Sequence, residues 1–389
     1  MTFTLKPLQS PQSGVDFGVS ISDLDLEKIT DEEFKQLEEA VYTHQVVVIH
    51  GQGHVCPKTQ YTITKRFEPE VDTYGHGGQH RAEQSVIARD LSPLPDVPQV
   101  QLLGHGTVKD YQGIKERKLT HPNHRVFHKT HLTDEQEAEG KTRFYRWHMD
   151  AALYKLNPPK VTTLFGVKNP EPRRQTLLYD DGTGDTLDVQ LGTTAFISGQ
   201  RAFEILPPDM KDLAFRTKVK YAAHPYLWMS KARARSTGLG MVSEGKELSP
   251  EELPPIDNNA IKIYPMLWKN PVTKKIHLQV HPAAVEDLII DGKPMGDLNK
   301  VRDLLYQFQR PAIAPENVYT HEWQDGDFVI FHNRGVLHSV VGTLKDTDTR
   351  IFQQCNMASA DDPIPVTDED FAPYRIAGAT ATDSPAIKV

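Results

Sequence analysis

The feature that most constrains this chain is its punctuation. Short apolar, β-branched runs recur around 160–168, 175–179, 193–198, 261–267, 275–280, 327–332 and 350–356, separated by turn signals such as Asp181-Gly182 and Asp325-Gly326. Its 28 prolines are dispersed rather than clustered. Proline removes a backbone donor and breaks helix interiors, so this spread suits strands joined by loops and disfavours a helical bundle. Many short strands with few helices between them predict a mainly β fold with flanking helices, an antiparallel barrel or jelly roll.

Two helices stand out against that background. Thr30 followed by Glu33 forms a capping box, and Phe34, Leu37 and Val41 recur at helical spacing, which predicts a helix over 31–43. Leu298, Val301, Leu305 and Phe308 share a face in a second helix over 297–309, stopped by Pro311. Directly after the first helix, Val46-Val47-Val48-Ile49 reads as a buried strand. Residues 229–260 read as a long insertion loop, and the chain from about 362 onward reads as a loose tail. No linker composition interrupts the sequence, so residues 1–389 are expected to form a single domain.

Composition excludes several roles. The formal charge is −8, with no concentrated basic face for nucleic acid or an anionic membrane. No run approaches the roughly 18 apolar residues of a spanning helix. Cys56 and Cys355 cannot build a disulfide framework and fit a reducing compartment, so the expected location is the cytosol and the expected partner a small molecule. The sequence carries no signal for an oligomeric state.

The chemistry concentrates at His148-Met149-Asp150. About one His-x-Asp triplet is expected by chance at these abundances, so the triplet gains weight only from its context. In a strand, residues two apart share a face and reach one cation together. His338, in Phe331-His332-Asn333-Arg334-Gly335-Val336-Leu337-His338, offers a third ligand. Two histidines and one carboxylate on one face of an octahedral ion leave positions open, the arrangement of non-haem Fe(II) oxygenases. Twelve residues further, Arg350 is able to hold the far carboxylate of a dicarboxylic co-substrate.

These residues, with Trp147 and the Asn333-Arg334 pair, resemble the taurine-dioxygenase-like branch of Fe(II)/2-oxoglutarate-dependent oxygenases, from Asp16-Phe17-Gly18 to about Asn356. The resemblance implies a double-stranded β-helix core. It implies Fe(II) bound by His148, Asp150 and His338, with 2-oxoglutarate and O2 as co-substrates. It also implies Arg350 and Thr176 on the distal carboxylate, although the Gly-Gly-Asp that often precedes that threonine is absent here.

Departures from the branch bear on the substrate. Sulfonate-using relatives place a second arginine four residues after the first; here the position holds Gln354, whose amide lacks the charge a sulfonate needs. If Arg350 points inward, so do Phe352, Gln354 and Asn356, and Gln99 and Gln101 share one strand face. Amides offer both donor and acceptor, so this set suits a neutral, flat, hydrogen-bonding ring. Within the branch the set is similar to that of the fungal xanthine dioxygenases, which implies hydroxylation of xanthine to uric acid with release of succinate and CO2. That group carries a basic residue before the iron motif, at a position flanked here by Lys118 and Thr120. The same chemistry on an amino acid or related small molecule, or a non-catalytic β-helix binding protein, remain alternatives. The outcome at the substrate, whether hydroxylation, desaturation or cyclisation, depends on its placement to within a fraction of an ångström.

Three other features read as structural. His121, His124, His128 and His131 read as an exposed loop, Asp180 to Gly184 as a hairpin turn, and Lys231, Arg233 and Arg235 as a solvated basic cluster.

Overall fold

The computed structural model describes residues 2–10, 14–77, 85–87 and 92–375. Its largest sheet runs, in order, Lys6–Pro7, Val19–Ile21, Val46–Ile49, Phe328–His332, Val161–Lys168, Arg350–Cys355, Val100–Tyr111 and Ser92–Pro93, with Ile114–Leu119 paired to the far part of Val100–Tyr111. A three-stranded sheet of Tyr319–His321, Thr194–Ser198 and Val336–Val340 faces it, and a third unit pairs Thr186–Gln190, Arg174–Leu178 and Lys141–Thr142. This is the expected jelly roll.

Strand parity explains the layering. Val46 and Val48 turn between the two sheets and pack with Phe196, Tyr319, Phe331, Val336 and Phe352. Val47 and Ile49 turn the other way, onto Phe34, Leu37 and Val41 of the helix Asp31–His44. One short β-branched run therefore serves two cores, which is why it reads as continuously apolar. The helix begins at the Thr30–Glu33 capping box, where Thr30 Oγ1 accepts from the Glu33 N–H at 3.2 Å. The second expected helix spans Leu298–Gln309, and the Asp180 to Gly184 turn does join two antiparallel strands.

Sequence patterning missed the helix Pro57–Arg66, whose threonines and lysines blur its apolar face, and most of the long strand Val100–Tyr111. The stretch from 362 is corrected over its described part. Residues 368–371 form a capped turn of helix, Phe371 is buried and stacks on Phe215 with centroids 4.2 Å apart, and Asp370 bonds Lys269 at 2.7 Å. Residues 376–389 lie outside the described residues. Residues 229–260 contain little regular structure, yet Met229, Ala232, Ala234, Leu239 and Met241 are buried. Within that segment Lys231 and Arg235 pair with Glu252 and Asp303. Among the described residues no helix is long and apolar enough to cross a membrane.

Candidate active site

His148 and His338 meet through backbone before side chain. The His148 N–H donates to the His338 carbonyl at 3.0 Å and the His338 N–H donates back at 2.8 Å, an isolated antiparallel bridge. The two rings therefore lie side by side, centroids 4.1 Å apart. His148 is not in a regular strand, so the expected two-residue strand face is not what aligns it with Asp150. Alignment comes from Asn333. Its Oδ1 accepts from the Asp150 N–H, and its Nδ2 donates to the Asp150 carbonyl, both at 2.8 Å.

The three side chains then converge. Nδ1 of His148 donates to the Arg146 carbonyl at 2.9 Å, which leaves Nε2 with its lone pair toward Asp150 Oδ1, 3.6 Å away. His338 Nε2 is 3.8 Å from the same oxygen. Neither distance is a hydrogen bond, yet the donor atoms of all three residues lie within 4.8 Å of one another. Asp150 Oδ2 is saturated by Thr162 Oγ1 at 2.8 Å, Gln354 Nε2 at 3.1 Å and Asn356 Nδ2 at 3.3 Å. Burial pushes both histidines below their ordinary pKa, so they stay neutral and their lone pairs stay available. Two neutral imidazoles and one oriented carboxylate oxygen, facing each other without bonding, are a donor set that fits Fe(II).

Arg350 opens its strand fully buried, with its guanidinium 3.7 Å over the Phe352 ring. Its Nε donates to the Gly192 carbonyl at 3.1 Å while Nη1 has no partner, so hydrogen-bonding capacity faces the cavity shared with the histidines. Burial without an anionic partner depresses its pKa. The chain makes room for it at Gly104, where φ is +137° and an added Cβ would stand 1.7 Å from the Arg350 carbonyl oxygen.

Thr176 is placed elsewhere. It is half-buried in the strand Arg174–Leu178, whose Gln175 and Leu177 turn inward, and it does not line the cavity. Thr194 does line it, beside Arg350 and His338. The threonine implied by the resemblance falls on the hairpin. The jelly roll instead folds Thr194 in, opposite Val340 and two positions along from the Phe196–His338 pair.

Of the amide set, Phe352 and Gln354 line the cavity. Gln101 pairs in register with Gln354; it is buried, its Nε2 donates to the Pro98 carbonyl at 2.7 Å and its Oε1 has no partner. Gln99 is half-buried just before that strand, and neither Gln99 nor Gln101 lines the cavity. Asn356 is fully buried behind Asp150, accepting from the Gly75 N–H at 3.2 Å. Lys118 and Thr120 are both exposed, whereas the next residue, His121, is buried and lines the cavity.

The histidine run is also corrected. His121, His124 and His128 are buried and His131 is exposed; His124 opens the short helix His124–Phe127, and His128 Nε2, just after it, bonds the Tyr145 carbonyl at 2.7 Å. Sequence reasoning missed Thr194, His121 and Arg146 as cavity residues. For Arg146 a signal existed, since it stands two residues before His148 on an otherwise aromatic run.

A jelly roll that gathers two histidines and a carboxylate at one end of a cavity, with a buried arginine across it, defines the class of iron oxygenases that consume 2-oxoglutarate. The chain belongs to the taurine catabolism dioxygenase TauD, TfdA family, whose model matches residues 4–356. It is 52% identical to the alpha-ketoglutarate-dependent xanthine dioxygenase xanA of Emericella nidulans, over 93% of this chain and 98% of that protein. It is 50% identical to the alpha-ketoglutarate-dependent xanthine dioxygenase xan-1 of Neurospora crassa, over 94% of this chain and 89% of the relative. Among solved structures, AAD-2 in complex with Mn(II) and N-oxalylglycine shares the fold with a TM-score of 0.56 at 17% identity, over 94% of this chain and all of that one. The chain is thus a 2-oxoglutarate-dependent dioxygenase that uses Fe(II).

Proposed function

We propose that the chain oxidises xanthine: xanthine, 2-oxoglutarate and O2 become uric acid, succinate and CO2. The observation that carries this reading is the near-full-length identity to fungal xanthine dioxygenases, 49–52%. The absence of a second arginine at position 354 agrees with it, since a sulfonate would lack a counter-charge there.

In this reading His148, Asp150 and His338 hold Fe(II), and Arg350 with Thr194 holds the distal carboxylate of 2-oxoglutarate. Phe352 and Gln354 form the substrate side, while Gln99 stays outside the cavity. Gln354 is the amide in the cavity, Gln101 supports it from the neighbouring strand, and Asn356 acts through Asp150. Bound iron and 2-oxoglutarate supply the oxidant; the protein orients the purine and keeps water out. The site belongs to a single oxygenase domain that works on a small molecule in the cytosol.

The test is anaerobic reconstitution with Fe(II) and 2-oxoglutarate, followed by O2, counting succinate with and without xanthine. Stoichiometric succinate and uric acid are expected. Succinate unaffected by xanthine would overturn the substrate and direct attention to amino acids. No succinate under any condition would overturn catalysis itself.

A further inference from the structure

Among the described residues Arg146 is a buried cation with no acidic partner. It is 4% exposed, it lines the cavity beside His148 and Arg350, and its Nε and Nη1 have no hydrogen-bond partner. Its guanidinium lies against three ring faces: Tyr145 at 5.5 Å, Phe127 and Tyr226 at 5.7 Å.

The contrast with the other buried arginines is sharp among the described residues. Arg143 pairs with Asp180, Arg302 with Glu247 at 2.6 Å, and Arg334 donates to the Pro158 and Asp361 carbonyls at 2.8 and 2.6 Å. Only Arg146 and Arg350 keep open donors facing this cavity, and Arg350 is already assigned to the co-substrate.

Charge accounting then points to the ligand. Fe(II) with Asp150 leaves one positive charge, Arg350 adds another, and the 2-oxoglutarate dianion cancels both. Among the described residues that line the cavity, the charged side chains are Asp150, Arg350 and Arg146. Of these, Arg146 is left without a counter-charge, and an unpaired buried cation is strongly disfavoured. We infer that Arg146 is a substrate-binding residue that takes the ring-ionised monoanion of an oxidised purine, donating to its lactam oxygen. The inference rests on the substrate reading above and names the form in which that substrate binds.

The backbone makes the test clean. The Arg146 carbonyl accepts from His148 Nδ1 and its N–H donates to Ser339 Oγ at 3.1 Å, so a side-chain change leaves the ligand's orienting contacts in place. Calorimetry on anaerobic Fe(II) enzyme would titrate first 2-oxoglutarate, then xanthine, in two buffers of different ionisation enthalpy, at a pH where free xanthine is mostly neutral. Wild type is expected to release a proton on binding xanthine. Arg146→Gln is expected to lose that release and about 10- to 100-fold in xanthine affinity, with 2-oxoglutarate affinity within about threefold.

Equal or greater loss for 2-oxoglutarate would assign the oxygen to the co-substrate and overturn the inference, as would unchanged xanthine binding. Affinity lost without proton release in wild type would overturn the monoanion. If Arg146→Gln does not fold, Arg146→Lys, which keeps charge but not the planar fork, is expected to bind xanthine at intermediate strength; unchanged affinity would overturn the inference. Wild type that binds no xanthine would fail the substrate reading itself, an outcome distinct from all of these.

Discussion

Asn333 and Asp150 exchange a reciprocal pair of hydrogen bonds, side-chain amide to backbone, each 2.8 Å long. Asn333 is fully buried and its amide also donates to the Pro159 carbonyl at 3.0 Å. One amide thereby fixes where the metal-facing carboxylate begins, although Asn333 is not itself one of the three metal-ligating residues.

Removing that amide strands buried backbone groups. Asn333→Ala is expected to cost about 1–3 kcal/mol of stability. Fe(II) affinity should fall about 10- to 100-fold, as for other residues that orient ligands. Denaturant melts and anaerobic Fe(II) titration would measure the two effects; unaltered iron affinity would contradict the orienting role.

The co-substrate end offers a direct comparison of two threonines. Thr194→Val is expected to weaken 2-oxoglutarate about tenfold, whereas Thr176→Val should leave it unchanged. Because Thr194 Oγ1 also accepts from Trp323 Nε1 at 3.0 Å, the melting temperature must be recorded beside the KM. In wild type, saturating 2-oxoglutarate at 100 times its Kd should add about 2.7 kcal/mol of stability, and in Arg350→Ala almost none.

Gly104→Ala should damage the same end by a different route. A methyl there meets the Arg350 carbonyl at 1.7 Å, with a φ that alanine rarely adopts. The strands must part at the arginine, so the expected result is a loss of about 2 kcal/mol or more and a raised KM for 2-oxoglutarate. Normal stability would mean that the two strands tolerate separation.

Acid should unfold the protein through its buried histidines. Burial lowers the pKa of His128 and of His277 to about 4. In the unfolded chain each titrates near 6.5, so below that pH the unfolded state binds the extra proton and stability falls as pH falls. The loss runs from about pH 6.5 down to about 4, at about 1.4 kcal/mol per pH unit for each histidine. Denaturation of chelator-treated protein across that window should show the slope, and His128→Gln should reduce it.

Local patterns were legible in the sequence and crossings of the sheet were not. The helix Asp31–His44 announced itself through a capping box and its apolar spacing, both properties of adjacent residues. His148, Asp150, His338 and Arg350 could be picked out because motif and order travel together. Thr194 could not, since only the pairing of Thr194–Ser198 with Val336–Val340 brings it to the cavity. The strand Val100–Tyr111 was half hidden because Gly104 and Gly106 break its pattern, and the first of these glycines is what lets it approach Arg350. Asn356 followed its strand inward as expected, yet it ended against Asp150 rather than in the cavity.

The centre of the large sheet joins distant parts of the chain: Val46–Ile49 is hydrogen-bonded to Phe328–His332, which pairs on its other side with Val161–Lys168. Such long-range pairing carries a heavy loop-closure cost and folds slowly. During synthesis the early strand must wait, with that edge exposed, until Phe328–His332 has left the ribosome. The metal cage shares this dependence: it cannot close until His338 has followed His148 and Asp150 out of the ribosome, so bound iron cannot steady the early intermediates.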